Sequence, residues 1–252
     1  MISQIDVSPD DIPAALILLT RLPVPVDHAP MAHRAARSAW AYPIVGALIG
    51  ALAGLLAWVL VAIGLPAGMA AGAGLAALVL LSGALHEDGL ADCADAFGGG
   101  TTVKQRLKIM KDSRLGAFGG VTLAVAMLMR WAGIEASLHG PELLTLAAVG
   151  AVSRLPMAVT MWAMPRARHN GLAAGVGFVP AQAMALAGAV AFAIAVLTCG
   201  WAGVAMWVIA LAAAVPVCFL AWRRIEGYTG DVLGCIQQVS EIAALAVAAV
   251  LI

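Results

Sequence analysis

Five carboxylates and five cations crowd residues 83–116, GALHEDGLADCADAFGGGTTVKQRLKIMKDSRLG, in a chain that is otherwise almost all hydrocarbon. Asp88, Asp92 and Asp95 stand at i, i+4 and i+7, so a helix through them carries all three on one face. Like charges at that interval destabilise an exposed helix by roughly a few tenths of a kcal/mol, and a bound cation reverses the sign. Mg²⁺ takes oxygen ligands, keeps some of its water, and bridges one or two carboxylates to the phosphates of a substrate. Arg106, Lys111 and Arg114 follow the acids, and their charge suits a diphosphate, which arginine can grip with two parallel bonds. The chemistry expected is metal-assisted phosphoryl transfer. A solvated acidic loop is the plainer account, but these acids stand among Gly, Ala and Leu rather than among other polar residues.

His86, just before the triplet, is either a structural hydrogen-bonder or part of the site. A second polar patch, EGYTGDVLGCIQQVSE at 226–241, offers Asp231 as a further ligand or a hold on a substrate hydroxyl, while Gly227 and Gly230 serve turns. Four ionisable residues, Arg130, Glu135, Arg154 and Glu241, fall inside apolar stretches, where such a group is a functional hypothesis by default. Arg154 and Glu241 are expected to face a polar cavity below the acidic loop, and Arg130 to pair with Glu135, a bond that could simply lock helices.

The elements that must position these residues are membrane helices. The chain has 252 residues, 63% of them hydrophobic and 11% charged, with a mean hydropathy of +0.97, far from the averages of soluble domains. Apolar stretches long enough to cross a bilayer, which takes roughly 20 helical residues, are predicted at 44–63, 67–85, 117–137, 143–163, 180–198, 202–221 and 236–252. The expected fold is all-α: a polytopic transmembrane helix bundle of about seven spans, within six to eight, in one integral membrane domain, 1–252. Short interfacial helices are expected on the cytoplasmic side. Residues 11–22, DIPAALILLTRL, are too short to cross and are stopped by Pro23 and Pro25. The N-terminus lacks the pattern of a removable signal peptide. Gly46, Gly50 and Gly54, Gly68 with Gly72, and Gly116 with Gly120 repeat at the interval that lets helices approach closely in lipid, and no catalytic role is given to them.

If the N-terminus is cytoplasmic and all seven stretches cross, twelve of the fourteen Lys and Arg residues share its side and the opposite loops hold none. The positive-inside rule then turns the loop 86–116 to the cytoplasm. Gly98 to Gly100 end the acidic helix, Thr101 or Thr102 caps the next, and that helix carries Lys104, Lys108 and Lys111 on one stripe. The four cysteines have neither zinc nor disulfide spacing and read as packing residues.

HEDGLADCADAFGGG at 86–100, RLKIMKDSRLGAFG at 106–119, TRLPVP at 20–25 and GYTGDVLG at 227–234 together resemble the cobalamin synthases, the adenosylcobinamide-GDP ribazoletransferases of vitamin B12 assembly. The pieces run from residue 20 to 241. The resemblance implies a polytopic inner-membrane enzyme that needs Mg²⁺ and joins adenosylcobinamide-GDP to α-ribazole or its 5′-phosphate, releasing GMP. It implies that Asp88, Asp92, Asp95 and Asp112 hold one or two Mg²⁺ ions across the diphosphate. Lys111, Arg114 and Arg106 then neutralise phosphate, and Asp95 or Asp112 takes the proton of the attacking ribose hydroxyl. Glu87 and Cys93 depart from the family pattern, which sets Glu87 aside as a metal ligand. Partners implied are the two small-molecule substrates and the bilayer, not nucleic acid. Self-association, or contact with other cobalamin-assembly enzymes, is left open.

Two other classes compete. A CDP-alcohol phosphotransferase of phospholipid synthesis uses a similar plan, but its signature D-x2-D-G-x2-A-R fails here, with Leu85 at the first Asp and Asp92-Cys93 in place of Ala-Arg. A small-solute transporter predicts inverted repeats and polar residues spread through mid-bilayer, whereas these charges gather at one face.

Overall fold

The computed structural model describes residues 7–25, 34–138, 142–168 and 175–252. Among them the chain is all helix, with one isolated bridge between Arg166 and Tyr228. α1 (Asp11–Leu19) is a nine-residue helix, and a 3-10 turn (Arg37–Ala41) leads into α2 (Tyr42–Ala62), which has Pro43 in its first turn. α3 (Ala67–Ser82) and α4 (Leu85–Gly99) follow, then the short α5 (Val103–Ile109), α6 (Ala117–Ser137) and α7 (Glu142–Ala163). α8 (Ala181–Ile225) and α9 (Gly230–Leu251) complete the chain.

Among the described residues, five helices are long and apolar enough to cross a membrane: α2 with its leading turn, α6, α7, α8 and α9. α3 and α4, bent by 87° at Gly83 and Ala84, form a sixth span together. α8 is two antiparallel spans. Its 45 residues break at Gly200, whose φ of 56° and ψ of −128° suit only glycine, and Trp207 Nε1 donates to the carbonyl of Gly188 at 3.2 Å. In a continuous helix those residues would lie about 28 Å apart. The protein is thus multi-pass, as its hydropathy predicts, and the predicted stretches match these helices closely except the last. α9 begins at Gly230 rather than 236, because Gln237, Gln238, Ser240 and Glu241 are fully buried in the bundle and not part of a polar loop.

α1 does not cross. Its Asp11 is buried and accepts from Arg34 Nε at 2.6 Å and Trp40 Nε1 at 2.9 Å, which pins the helix to the foot of α2. Burial alone would raise the Asp11 pKa, but the bonds from Arg34, the Ser8 N–H and Trp40 outweigh it and hold the acid ionised. α2 lies against α7 through Gly46, Gly50 and Gly150, where a Cβ on Gly46 would come within 2.0 Å of the Gly150 carbonyl. Two apolar clusters fill the bundle. One holds Ala126, Leu155, Met157 and Ile236, the other Ile134, Val149, Val152 and Ala244. On α6, α7 and α9 alike, buried polar residues stand between them: Arg130, Ser153 with Arg154, and Gln237, Gln238, Ser240 and Glu241.

Candidate active site

α4 is helical through its acids, so Asp88, Asp92 and Asp95 share a face as their spacing predicts, with Asp88 exposed and the other two half-buried. The opposite face is buried through His86, Glu87, Leu90 and Cys93. Two glycines press α4 onto α9: a Cβ at Gly89 would come within 2.6 Å of the Asp231 carbonyl oxygen, and one at Gly234 would meet the His86 backbone at 3.1 Å. This contact carries Asp231 to the row of acids. Asp88, Asp231 and Asp95 all act on Asp92 by charge repulsion. Arg168, beyond the end of α7, pairs with Asp231 at 3.0 Å, and the Thr229 hydroxyl donates to the same oxygen at 3.1 Å.

Asp95 has a different task. Its two oxygens accept the backbone N–H of Gly116 at 2.7 Å and of Gly119 at 2.8 Å, which caps α6 from a neighbouring helix. Both positions must be glycine, since a Cβ at either would fall 2.3 Å from an Asp95 oxygen. Gly116 therefore serves this cap and not the helix packing predicted from its spacing. Asp112 lies on the turn after α5, apart from the row. The side chain and backbone N–H of Arg114 bind it at 2.6 to 3.2 Å and hold its pKa down to about 2, too low for a base at neutral pH. Of the two carboxylates expected to take a proton, one caps a helix and the other is neutralised by its neighbour.

The expected phosphate ligands also divide. Arg106 is buried and donates to the carbonyls of Arg224 at 3.0 Å and Thr101 at 3.2 Å, so it ties α5 to the end of α8 instead of facing a phosphate. Lys111 and Arg114 are exposed on the turn that leads to the Asp95 cap.

Deeper in the bundle, Arg130 of α6 donates to Glu87 at 2.6 Å, to Gln238 at 3.1 Å and to Glu241 at 2.8 Å. Arg154 of α7 lies 3.7 Å from Glu241 and donates to Ser153 and to the Gly150 carbonyl. Gln237 donates to Glu241 and Ser153, and Gln238 to Glu87. Four helices thus share a buried network whose two arginines balance two glutamates, with Glu87 Oε2 and Arg154 Nε left without a hydrogen-bond partner among the described residues. Arg154 and Glu241 belong to this lock, not to an open cavity, and Arg130 pairs with Glu87 and Glu241 rather than with Glu135, which lies beside Gly68 on α3. The sequence marked the charged members by their apolar setting, but not Gln237 or Gln238.

Between the network and the acids is a cavity of about 100 Å³. Leu18, Leu19, Leu85, Met157, Met161 and Leu233 give it apolar walls, and Tyr42, His86, Asp88, Arg168 and Asp231 give it polar atoms. Of the lining residues, Tyr42 Oη, His86 Nε2 and Arg168 Nη1 are buried with no hydrogen-bond partner among the described residues. Tyr42 and Arg168 were not marked by sequence reasoning. The signal available was only the position of Tyr42 at the start of a span and the place of Arg168 on the cationic side.

Magnesium is expected from the sequence on Asp88, Asp92, Asp95 and Asp112, of which Asp95 caps α6 and Asp112 binds Arg114. Among the described residues, no group of three or more His, Cys, Asp or Glu is arranged to hold a metal ion by itself. The carboxylates of Asp88, Asp92 and Asp231 are nonetheless hard oxygen donors, gathered from two helices with mutual repulsion to relieve, and Mg²⁺ commonly takes one or two protein carboxylates with the rest from phosphate and water. In that sense the residues fit the ion.

The chain matches the family model described as cobalamin-5-phosphate synthase over residues 11–249. It is 41% identical over 245 residues to the adenosylcobinamide-GDP ribazoletransferase of Mesorhizobium japonicum, covering 96% of this chain and 93% of the relative. The protein of that name from Bradyrhizobium diazoefficiens is 38% identical over 242 residues, covering 95% and 93%. That of Ralstonia nicotianae is 39% identical over 235 residues, covering 92% and 91%. No solved structure matches the chain.

Proposed function

The chain belongs to the cobalamin-5-phosphate synthase family, and from that premise we propose that it joins adenosylcobinamide-GDP to α-ribazole or its 5′-phosphate and releases GMP, with Mg²⁺ bound at the acids of α4 and α9. It is an enzyme, a transferase of cobalamin biosynthesis. The observation that carries the finer reading is the approach of Asp231 to Asp88 and Asp92 at the rim of the cavity.

Mg²⁺, when bound, neutralises diphosphate charge, which is the chief demand of phosphoryl transfer. Asp92 and Asp231 would hold it, which leaves Asp88 for the proton. Lys111 and Arg114, on the turn beside the Asp95 cap, meet the departing GMP. The ribose hydroxyl attacks the phosphorus that stays on the corrinoid: a P–O bond forms, the P–O bond to GMP breaks with its electron pair on GMP, and the proton passes to a carboxylate. Asp88 is the better acceptor, because it is exposed at the rim and lies outside the cap and the ion pair that occupy Asp95 and Asp112. The proposed location is the bacterial inner membrane, and the distribution of cations supports an orientation with the acids toward the cytoplasm.

Purified protein given adenosylcobinamide-GDP and α-ribazole phosphate is expected to release GMP with Mg²⁺ and not with excess chelator. Asp88→Asn should lower kcat by about 100-fold or more, the usual range for lost acid–base function. An Asp88→Asn variant that keeps its rate removes that residue from the site, and turnover of a CDP-activated donor instead would favour the phospholipid reading.

A further inference from the structure

We infer that the cavity beneath the acidic patch holds the aromatic base of the acceptor, with the Tyr42 hydroxyl donating to the base's free ring nitrogen. The inference rests on the reading of the chain as a transferase to ribazole. Tyr42 and His86 are each 1% exposed, and both line the cavity with a polar atom that has no partner among the described residues. Buried groups of this kind are rare unless something fills the space beside them. A single water needs about 10–15 Å³ of such space, so a cavity of about 100 Å³ has room for several waters or one fused ring system.

Three parts of the two substrates could enter, and the lining discriminates among them. A corrin macrocycle is too large. Guanine carries ring and amino donors and three acceptors along its edges; Arg168 Nη2 and Asp231 already pair with each other, and the remaining walls of Leu18, Leu19, Met157, Met161 and Leu233 would leave most of that edge unpaired. The base of ribazole is a benzimidazole with a methylated, apolar edge and one free nitrogen acceptor. It asks for apolar walls and one donor, which is what the leucines, the methionines and Tyr42 supply. His86 Nε2 is then left for a ribose hydroxyl, and the sugar emerges at the rim beside Asp88 and Asp231, where the attack takes place. Leu85, His86 and Asp88 line the cavity together, so α4 supplies wall, sugar contact and carboxylate from one turn.

The test is Tyr42→Phe, which removes only the hydroxyl, read by the KM for each substrate and by calorimetry of α-ribazole binding with chelator present and no corrinoid. The KM and Kd for ribazole should rise about fivefold or more, as expected for one lost buried hydrogen bond, while the KM for adenosylcobinamide-GDP stays within about twofold. A ribazole analogue with CH at the free ring nitrogen should bind wild-type protein as weakly as ribazole binds the variant. An unchanged ribazole Kd, or a rise confined to the corrinoid substrate, would overturn the assignment. Should Tyr42→Phe fail to fold, the analogue decides: binding as tight as ribazole overturns it. Because the calorimetry needs no turnover, an enzyme that binds ribazole through Tyr42 but never makes GMP would refute the proposed reaction and leave this site standing.

Discussion

Asp95 shows how much a carboxylate's role depends on what faces it. Both of its oxygens are committed to the first N–H groups of α6, a use that stabilises a helix end by about 0.5–2 kcal/mol. Asp95→Ala should therefore lower the Tm in detergent, with Asp95→Asn intermediate because its amide keeps one acceptor. If Asp95→Ala abolished turnover with Tm unmoved, the residue would belong to the chemistry and not to the cap. Spacing alone disclosed that Asp88, Asp92 and Asp95 share a face. It could not disclose that the N–H partners of Asp95 stand 21 and 24 residues further along, or that Arg114, two residues from Asp112, folds back to neutralise it. Residue type and period are local properties, whereas partnership is decided by the packing of distant helices.

At the scale of elements, the spans were legible because lipid demands apolar length, and lengths can be counted along a sequence. The start of α9 was not, because two glutamines, a serine and a glutamate have the composition of a loop and are soluble inside the bundle only when their partners are present. Those partners come from α4, α6 and α7 and, for Ser240, from the Ala210 carbonyl of α8. Arg130 is the hub, 1% exposed and bonded to Glu87, Gln238 and Glu241. Arg130→Met fills similar space but leaves the buried Glu87 without its counter-charge and Glu241 with Arg154 alone, a loss of about 3–5 kcal/mol when a buried pair is broken from one side. Thermal unfolding of the purified variant should show a large fall in Tm, and Arg130→Lys a smaller one. A variant as stable as wild type would mean that the network does not hold these helices together. The network also fixes the end of α4 that carries His86 and Asp88, so the lock and the site share one helix.

Across the whole molecule, direction follows from the packing. α2 and α7 are antiparallel through Gly46 and Gly150, Tyr228 and Pro165 bring the start of α9 to the end of α7, and Asp95 meets the start of α6. The acids, Arg168, Lys111 and Arg114 therefore gather at one end of the bundle, while Gly64, Gly200 and Leu251 lie at the other. Side chains such as Leu48, Leu52, Val121, Val125, Leu128 and Phe192 remain exposed along the spans, where lipid would cover them. Whether the C-terminus lies opposite the acids depends on α8. With its turn at Gly200 there are seven crossings and the two chain ends face opposite sides; as one continuous span there would be six, and both ends would share the acidic side. Alkaline phosphatase, which is active only outside the cytoplasm, distinguishes these cases. Fused after Ile252 it should be active, and fused between Arg166 and Arg168 inactive. Inactivity at both points would straighten α8, and activity of the fusion between Arg166 and Arg168 would turn the acidic face away from the cytoplasm.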